Sequence, residues 1–153
     1  MSQHTAKIIW QRDNQAFIDG KYSRAHDWVF DGGEVIPASA SPSVVPLPFS
    51  LAENVDPEEA FVASIASCHM LFFLSFAAKA DLLINEYRDN PVGYLETNQE
   101  NKLAITRVIL QPTIGFDAQA APDKTLLDSL HQQAHSACFI ANSVNTRIEI
   151  KSI

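Results

Sequence analysis

Apolar residues crowd into one stretch of the chain, Asp56 to Ala80 (DPEEAFVASIASCHMLFFLSFAAKA), which has almost no polar face. From Ala60 to Ala78 the polar interruptions are Ser64, Ser67, Cys68, His69 and Ser75. The start signals fit a helix: Asp56 as a cap, Pro57 at the first helical position, then Glu58 and Glu59 where the helix dipole favours negative charge. A helix apolar on nearly all sides is buried on nearly all sides. The run approaches the ~20 residues that a bilayer requires. The serines and His69 inside it, and the lack of flanking basic anchors apart from Lys79, favour a buried helix of a soluble protein.

Elsewhere the pattern has period two. Ala6 to Arg12 alternates weakly around Ile8, Ile9 and Trp10, and Lys21 to Phe30 places Tyr22, Arg24, His26, Trp28 and Phe30 on one strand face. After a turn at Gly32-Gly33, the proline-rich segment Glu34 to Ser50 reads as a long extended loop excluded from any central strand. Beyond the central helix, Asp81 to Asn90 reads as a connector. Val92 to Asn98 and Lys102 to Phe116 read as two strands joined by a polar turn, with Pro112 limiting the second to an edge or bulge. Pro122 to Ala137 carries Leu126, Leu127, Leu130 and Ala134 on one side, predicting a second helix that stops near Cys138. Asn142 to Ile150 predicts a closing strand. The expected fold is α+β with the order βββ-α-ββ-α-β.

Length and charge narrow the classes. The 153 residues are expected to form a single domain, 1–153, large enough for a core. A net charge of −7 argues against nucleic acid, which demands a basic patch. The first residues, MSQHTAKIIWQRDNQ, contain no apolar signal run, so a cytoplasmic protein is expected. In a reducing compartment two cysteines are not a permanent staple; they are inert core thiols, a redox pair or metal ligands.

The chemistry centres on those cysteines. Cys68 lies in the middle of the apolar helix with Ser64 and His69 for company, and Cys138 lies at the end of the second. A reactive thiol needs a nearby cation or hydrogen-bond donors to lower its pKa. A buried arginine needs a carboxylate, and Arg24 and Glu58 are the candidates. His131 and His135 stand at i and i+4, with Cys138 three residues further on. With Cys68 they offer four zinc ligands, which makes a metal site the rival reading; on an exposed helix face the same histidines are simply solvated. Trp28, Phe72, Phe73 and Phe139 either wall a pocket for an apolar substrate or belong to the core.

DPEEAFVASIASCHM resembles the NPE-containing cysteine segment of the OsmC/Ohr family, the osmotically inducible and organic hydroperoxide resistance proteins, and HSACFIANSV resembles the second cysteine segment of its OsmC-like branch. RAHDWVFDGG and ITRVILQPTI are similar to that branch as well. The resemblance implies an intertwined α/β homodimer with two active sites, acting as a thiol-dependent peroxidase on organic hydroperoxides in oxidative stress defence. It implies Cys68 as the peroxidatic cysteine, Cys138 as the resolving cysteine, Glu58 as the acid of the NPE motif and, more loosely, Arg24 as the catalytic arginine. It implies no cofactor or metal, and an external dithiol as reductant, in the family often a lipoyl group. The chain departs from the pattern in Asp56, where the family usually has Asn, and in the CFIANSV segment.

On a continuous helix ten residues span ~15 Å, so Glu58 and Cys68 of one straight helix cannot share a site. Either the helix is broken near its start, or Glu58 serves the Cys68 of a second copy. A third class of function, a stress-related binding protein on this fold without peroxidase activity, is open beside the peroxidase and the zinc protein.

Overall fold

The computed structural model describes residues 1–117 and 121–151. They group into two compact units, Met1–Ala60 and Phe61–Ile153. The α+β class holds: the described residues form two long helices and eight strands.

The first unit is built on an antiparallel meander of β1 (Ala6–Ile9), β2 (His26–Phe30) and β3 (Val35–Ala38). Ile8 pairs with Trp28, and Trp28 with Ile36. The predicted strand over Lys21 to Phe30 begins only at His26, so Arg24 precedes the strand and does not share its alternation. The proline-rich segment does contain a strand, β3, and Pro37 is accommodated because β3 lies at the sheet edge. The loop after it is tied back by buried serines: Ser39 N–H donates to Val55 O, Leu51 N–H to Ser39 Oγ, and Ser50 Oγ to Val45 O.

The predicted central helix forms α1, Pro57–Lys79, without a break. Its entry is a capping box, in which Glu59 N–H donates to Asp56 Oδ1 at 2.7 Å and Asp56 N–H to Glu59 Oε2 at 3.3 Å. Burial does not follow the sequence expectation. Only Ile65, Ala66, His69, Phe73 and Ala77, one stripe at helical spacing, are buried. The opposite side, with Ala63, Ser64, Ser67, Leu71, Ser75 and Ala78, is exposed, and Leu71 is 61 % exposed. Among the described residues α1 is the one helix long and apolar enough to cross a membrane by length and composition.

In the second unit α1 meets two apolar clusters. Ile65 and Ala66 pack with Val108 and Leu110, supported by Ile148 and Ile150. These belong to a sheet ordered β5 (Val92–Thr97), β6 (Leu103–Leu110), β8 (Arg147–Ile150), with β6 and β8 parallel. Gly93 of β5 permits the close approach of α1, since a Cβ there would lie 2.4 Å from Val62 Cγ2. Two turns on, Phe73 and Ala77 pack with Leu130 and Ala134 of α2 (Lys124–Ala137) and with Ile84, Tyr87 and Ile114.

Two further differences from the sequence reading are local. The segment read as a connector contains β4 (Ile84–Arg88), whose pattern is interrupted by a register shift between Ile84 and Glu86. The long strand ending at Phe116 is divided at Gln111-Pro112. Its last part, β7 (Thr113–Phe116), leaves β6 and pairs with β4 as a separate two-stranded sheet. A proline without an N–H ends the ladder where the chain changes partner.

Candidate active site

Cys68 lies on α1 between its two apolar clusters, and Cys138 is the C-cap residue of α2. Cys138 acquires its place through its backbone: its N–H donates to Ala134 O and His135 O and closes the helix. Its side chain then turns back on the following 3-10 turn (Ala141–Ser143), where Ala141 N–H donates to Sγ at 3.3 Å. The thiols of Cys138 and Cys68 are near enough to influence each other's protonation, and both cysteines are free. Cys68 is half-buried, whereas Cys138 is 1 % exposed.

Burial pushes the Cys138 thiol up to about 11, and the neighbouring Cys68 adds to it; the amides of Ala141 and Ile140 oppose the rise without cancelling it. Cys138 therefore keeps its proton near neutral pH and has an S–H to donate. The accessible sulfur is Cys68. This arrangement sets a half-buried thiol beside a buried, protonated one, a pairing whose chemistry allows thiol–disulfide exchange.

Arg24 and Glu58 are not paired within the protomer. The Arg24 guanidinium lies over the Tyr22 ring, 3.8 Å from its centroid, and Nη1 donates to the carbonyls of Gly20 and Tyr22. Its backbone is fixed on both sides. Arg24 N–H donates to Phe49 O, and Arg24 O faces His26 Nδ1 at 2.7 Å. Because Trp28 Nε1–H donates to His26 Nε2, the His26 ring must donate from Nδ1 to Arg24 O. Glu58 Oε2 is buried and has no hydrogen-bond partner. The unbroken α1 removes the first of the two sequence alternatives for Glu58.

The four candidate zinc ligands do not converge. Among the described residues no group of three or more His, Cys, Asp or Glu is placed to hold a metal ion. Cys68 and Cys138 turn to each other, and His131 turns to His69, with Nδ1 of His131 3.0 Å from Nε2 of His69. His131 is not a solvated face residue as its spacing to His135 implied, but is 4 % exposed. Burial holds both His69 and His131 down at about 4. The signal was present, since His131 adjoins Leu130 in the stripe of Leu127, Leu130 and Ala134. Of the proposed aromatic wall, Phe73 is core, while Phe139 is exposed and meets Phe72 edge-on at 5.1 Å.

The profile of the OsmC-like protein family matches residues 51–152, a span that takes in the whole of α1 and both cysteines. The chain belongs to the OsmC-like protein family. An OsmC-like protein of unknown function from Vibrio cholerae shares 52% identity over 100% of both chains, with a TM-score of 0.98. The organic hydroperoxide resistance protein OsmC of Legionella pneumophila shares the fold at 16% identity, with 99% of this chain and 96% of that one covered and a TM-score of 0.69. The organic hydroperoxide resistance protein OhrB of Bacillus subtilis does so at 16% identity, 97% and 98% coverage and a TM-score of 0.67. No protein with a curated description matches the chain. In this OsmC-like fold one side of α1 packs on a sheet and α2, as a core helix does.

Proposed function

We propose that this OsmC-like protein is a two-cysteine peroxidase that reduces organic hydroperoxides to alcohols in the cytoplasm. The observation that carries the reading is the contact between the half-buried Cys68 thiol and the buried, protonated thiol of Cys138. The names of the more distant structural relatives agree with it. The Cys68 thiolate attacks the distal peroxide oxygen, the O–O bond breaks, and the alkoxide takes a proton and leaves as alcohol, with Cys68 oxidised to a sulfenic acid. The Cys138 sulfur then displaces the sulfenic oxygen, which leaves as water with the thiol proton, and a Cys68–Cys138 disulfide forms. An external dithiol, for which a lipoyl group has the right chemistry, reduces it by exchange.

Arg24 supplies positive charge to the thiolate and the developing alkoxide, and Glu58 orients the guanidinium as a bidentate partner. Both roles belong to a homodimer. The exposed side of α1 carries Leu71 among small residues, which a second copy would cover. The continuous helix places Glu58 ~15 Å along its axis from its own Cys68, so the acid serves the partner subunit's site.

Thiol counting before and after one equivalent of cumene hydroperoxide tests the reading. Loss of both thiols in the parent, with a dimedone-trapped sulfenic acid at Cys68 in the Cys138→Ser variant, is the expected result. Two thiols unchanged in excess peroxide would leave a binding protein on this fold.

A further inference from the structure

Besides the thiol pair, a polar contact between histidines crosses the apolar layer between α1 and α2. The rings of His69 and His131 are stacked, with centroids 5.4 Å apart and planes inclined by 11°, and His131 also stacks on Phe73 at 4.4 Å. His69 is 1 % exposed and His131 4 %. Each donates or accepts once, across the 3.0 Å contact. Their remaining nitrogens, His69 Nδ1 and His131 Nε2, are buried without a partner. Leaving such groups unbonded carries a desolvation cost, and two leucines would fill the space without that cost. What a buried hydrogen bond supplies, and apolar packing does not, is a single register. Apolar surfaces slide past one another at little cost, while a slip of either helix along its axis breaks the imidazole contact.

Register matters here because each histidine is tied by its helix to one sulfur. Cys68 directly precedes His69 on α1, and Cys138 closes α2 seven residues after His131. We propose that the His69–His131 hydrogen bond positions the thiol pair, holding α2 at the axial setting against α1 that brings the Cys138 sulfur onto Cys68. The proposal rests on the reading of the two cysteines as a working pair. Neither histidine is hydrogen-bonded to a thiol. Both act through the helices, as positioning residues, and what they set is the ease of disulfide closure.

The equilibrium of the full chain with reduced and oxidised dithiothreitol tests this. Two protein thiols and the cyclic disulfide exchange to give the protein disulfide and two reagent thiols, and the constant reads the effective concentration of Cys138 at Cys68. No peroxide is involved, so a protein inert to peroxide but normal in this equilibrium would fail the peroxidase reading alone. His131→Leu fills the volume without the bond. It is expected to lower the effective concentration at least tenfold, with the thermal midpoint changed by only a few degrees. His131→Asn and His69→Gln, whose amide nitrogens replace Nδ1 and Nε2, are expected to return to within threefold of the parent. Should His131→Leu not fold, His69→Phe, which keeps a stacked ring but no bond, takes its place. An unchanged constant in the apolar variant, or an equal loss in the amide variants, would overturn the proposal.

Discussion

Glu58 buries a carboxylate oxygen with no partner, while the Arg24 guanidinium is engaged by the carbonyls of Gly20 and Tyr22. Both groups are held in a state that a charged partner would change. If Arg24 provides charge at the peroxide site and Glu58 directs it, Arg24→Met and Glu58→Gln should lower kcat/KM for an alkyl hydroperoxide by about 10²-fold each, the scale seen when one preorganised donor is removed. The double variant should be little worse than either single one, because the two act as a unit. Steady-state kinetics of the three variants decides it; strictly additive losses would separate the residues.

Acid should loosen the second unit. His69 and His131 are held by burial at about 4, below the 6.5 of an unfolded chain. Between these values the unfolded state binds more protons, so stability falls as pH falls from about 6.5 to about 4 and levels off below. Asp128 favours the charged form of His131 and works against this trend, while His135 works with it on His69. The expected loss from pH 7 to pH 4 is on the order of 3 kcal/mol for each histidine. Urea denaturation across that range should show it, and the slope should flatten in His131→Leu.

Gly93→Ala should be destabilising although alanine is a small residue. The added Cβ would stand 2.4 Å from Val62 Cγ2, and the branched Val62 has few rotamers in a helix with which to give way. Overpacking of this kind costs about 1–3 kcal/mol. Val62→Ala should recover most of it in a double-mutant cycle read by chemical denaturation.

Leu71→Arg should produce monomers. The side chain contributes little to the protomer, being 61 % exposed, so folding should be preserved within about 0.5 kcal/mol. Sedimentation velocity is the measurement. A monomeric parent, or a variant that remains dimeric, would remove the composite site from the proposed function.

The central helix was legible because capping, length and composition agree from Asp56 to Lys79. Its burial was not, because a nearly uniform apolar pattern does not mark which one stripe meets the sheet and α2. The INEYR strand was hidden by its irregular register, which spoils a period of two. The break at Gln111-Pro112 was signalled by the proline, but the change of sheet depends on a tertiary partner, β4. Of the four candidate catalytic residues, two are found together: Cys68 and Cys138 meet across 70 residues of chain. Arg24 was placed on a strand by its alternation, yet it lies just before β2, its carbonyl bound by His26, whose ring Trp28 orients, and its amide bound by Phe49. His131 was misread because its spacing to His135 drew more notice than its place beside Leu130.

Cys138 ends a helix with its amide and caps the next turn with its sulfur. In the proposed disulfide this sulfur would lose its proton and take a second covalent partner while still facing the Ala141 amide. On the proposed function, a change in the oxidation state of Cys138 would therefore reach the backbone of the turn Ala141–Ser143. Amide exchange at Ala141, compared between the reduced and the oxidised chain, is the measurement that reads this coupling.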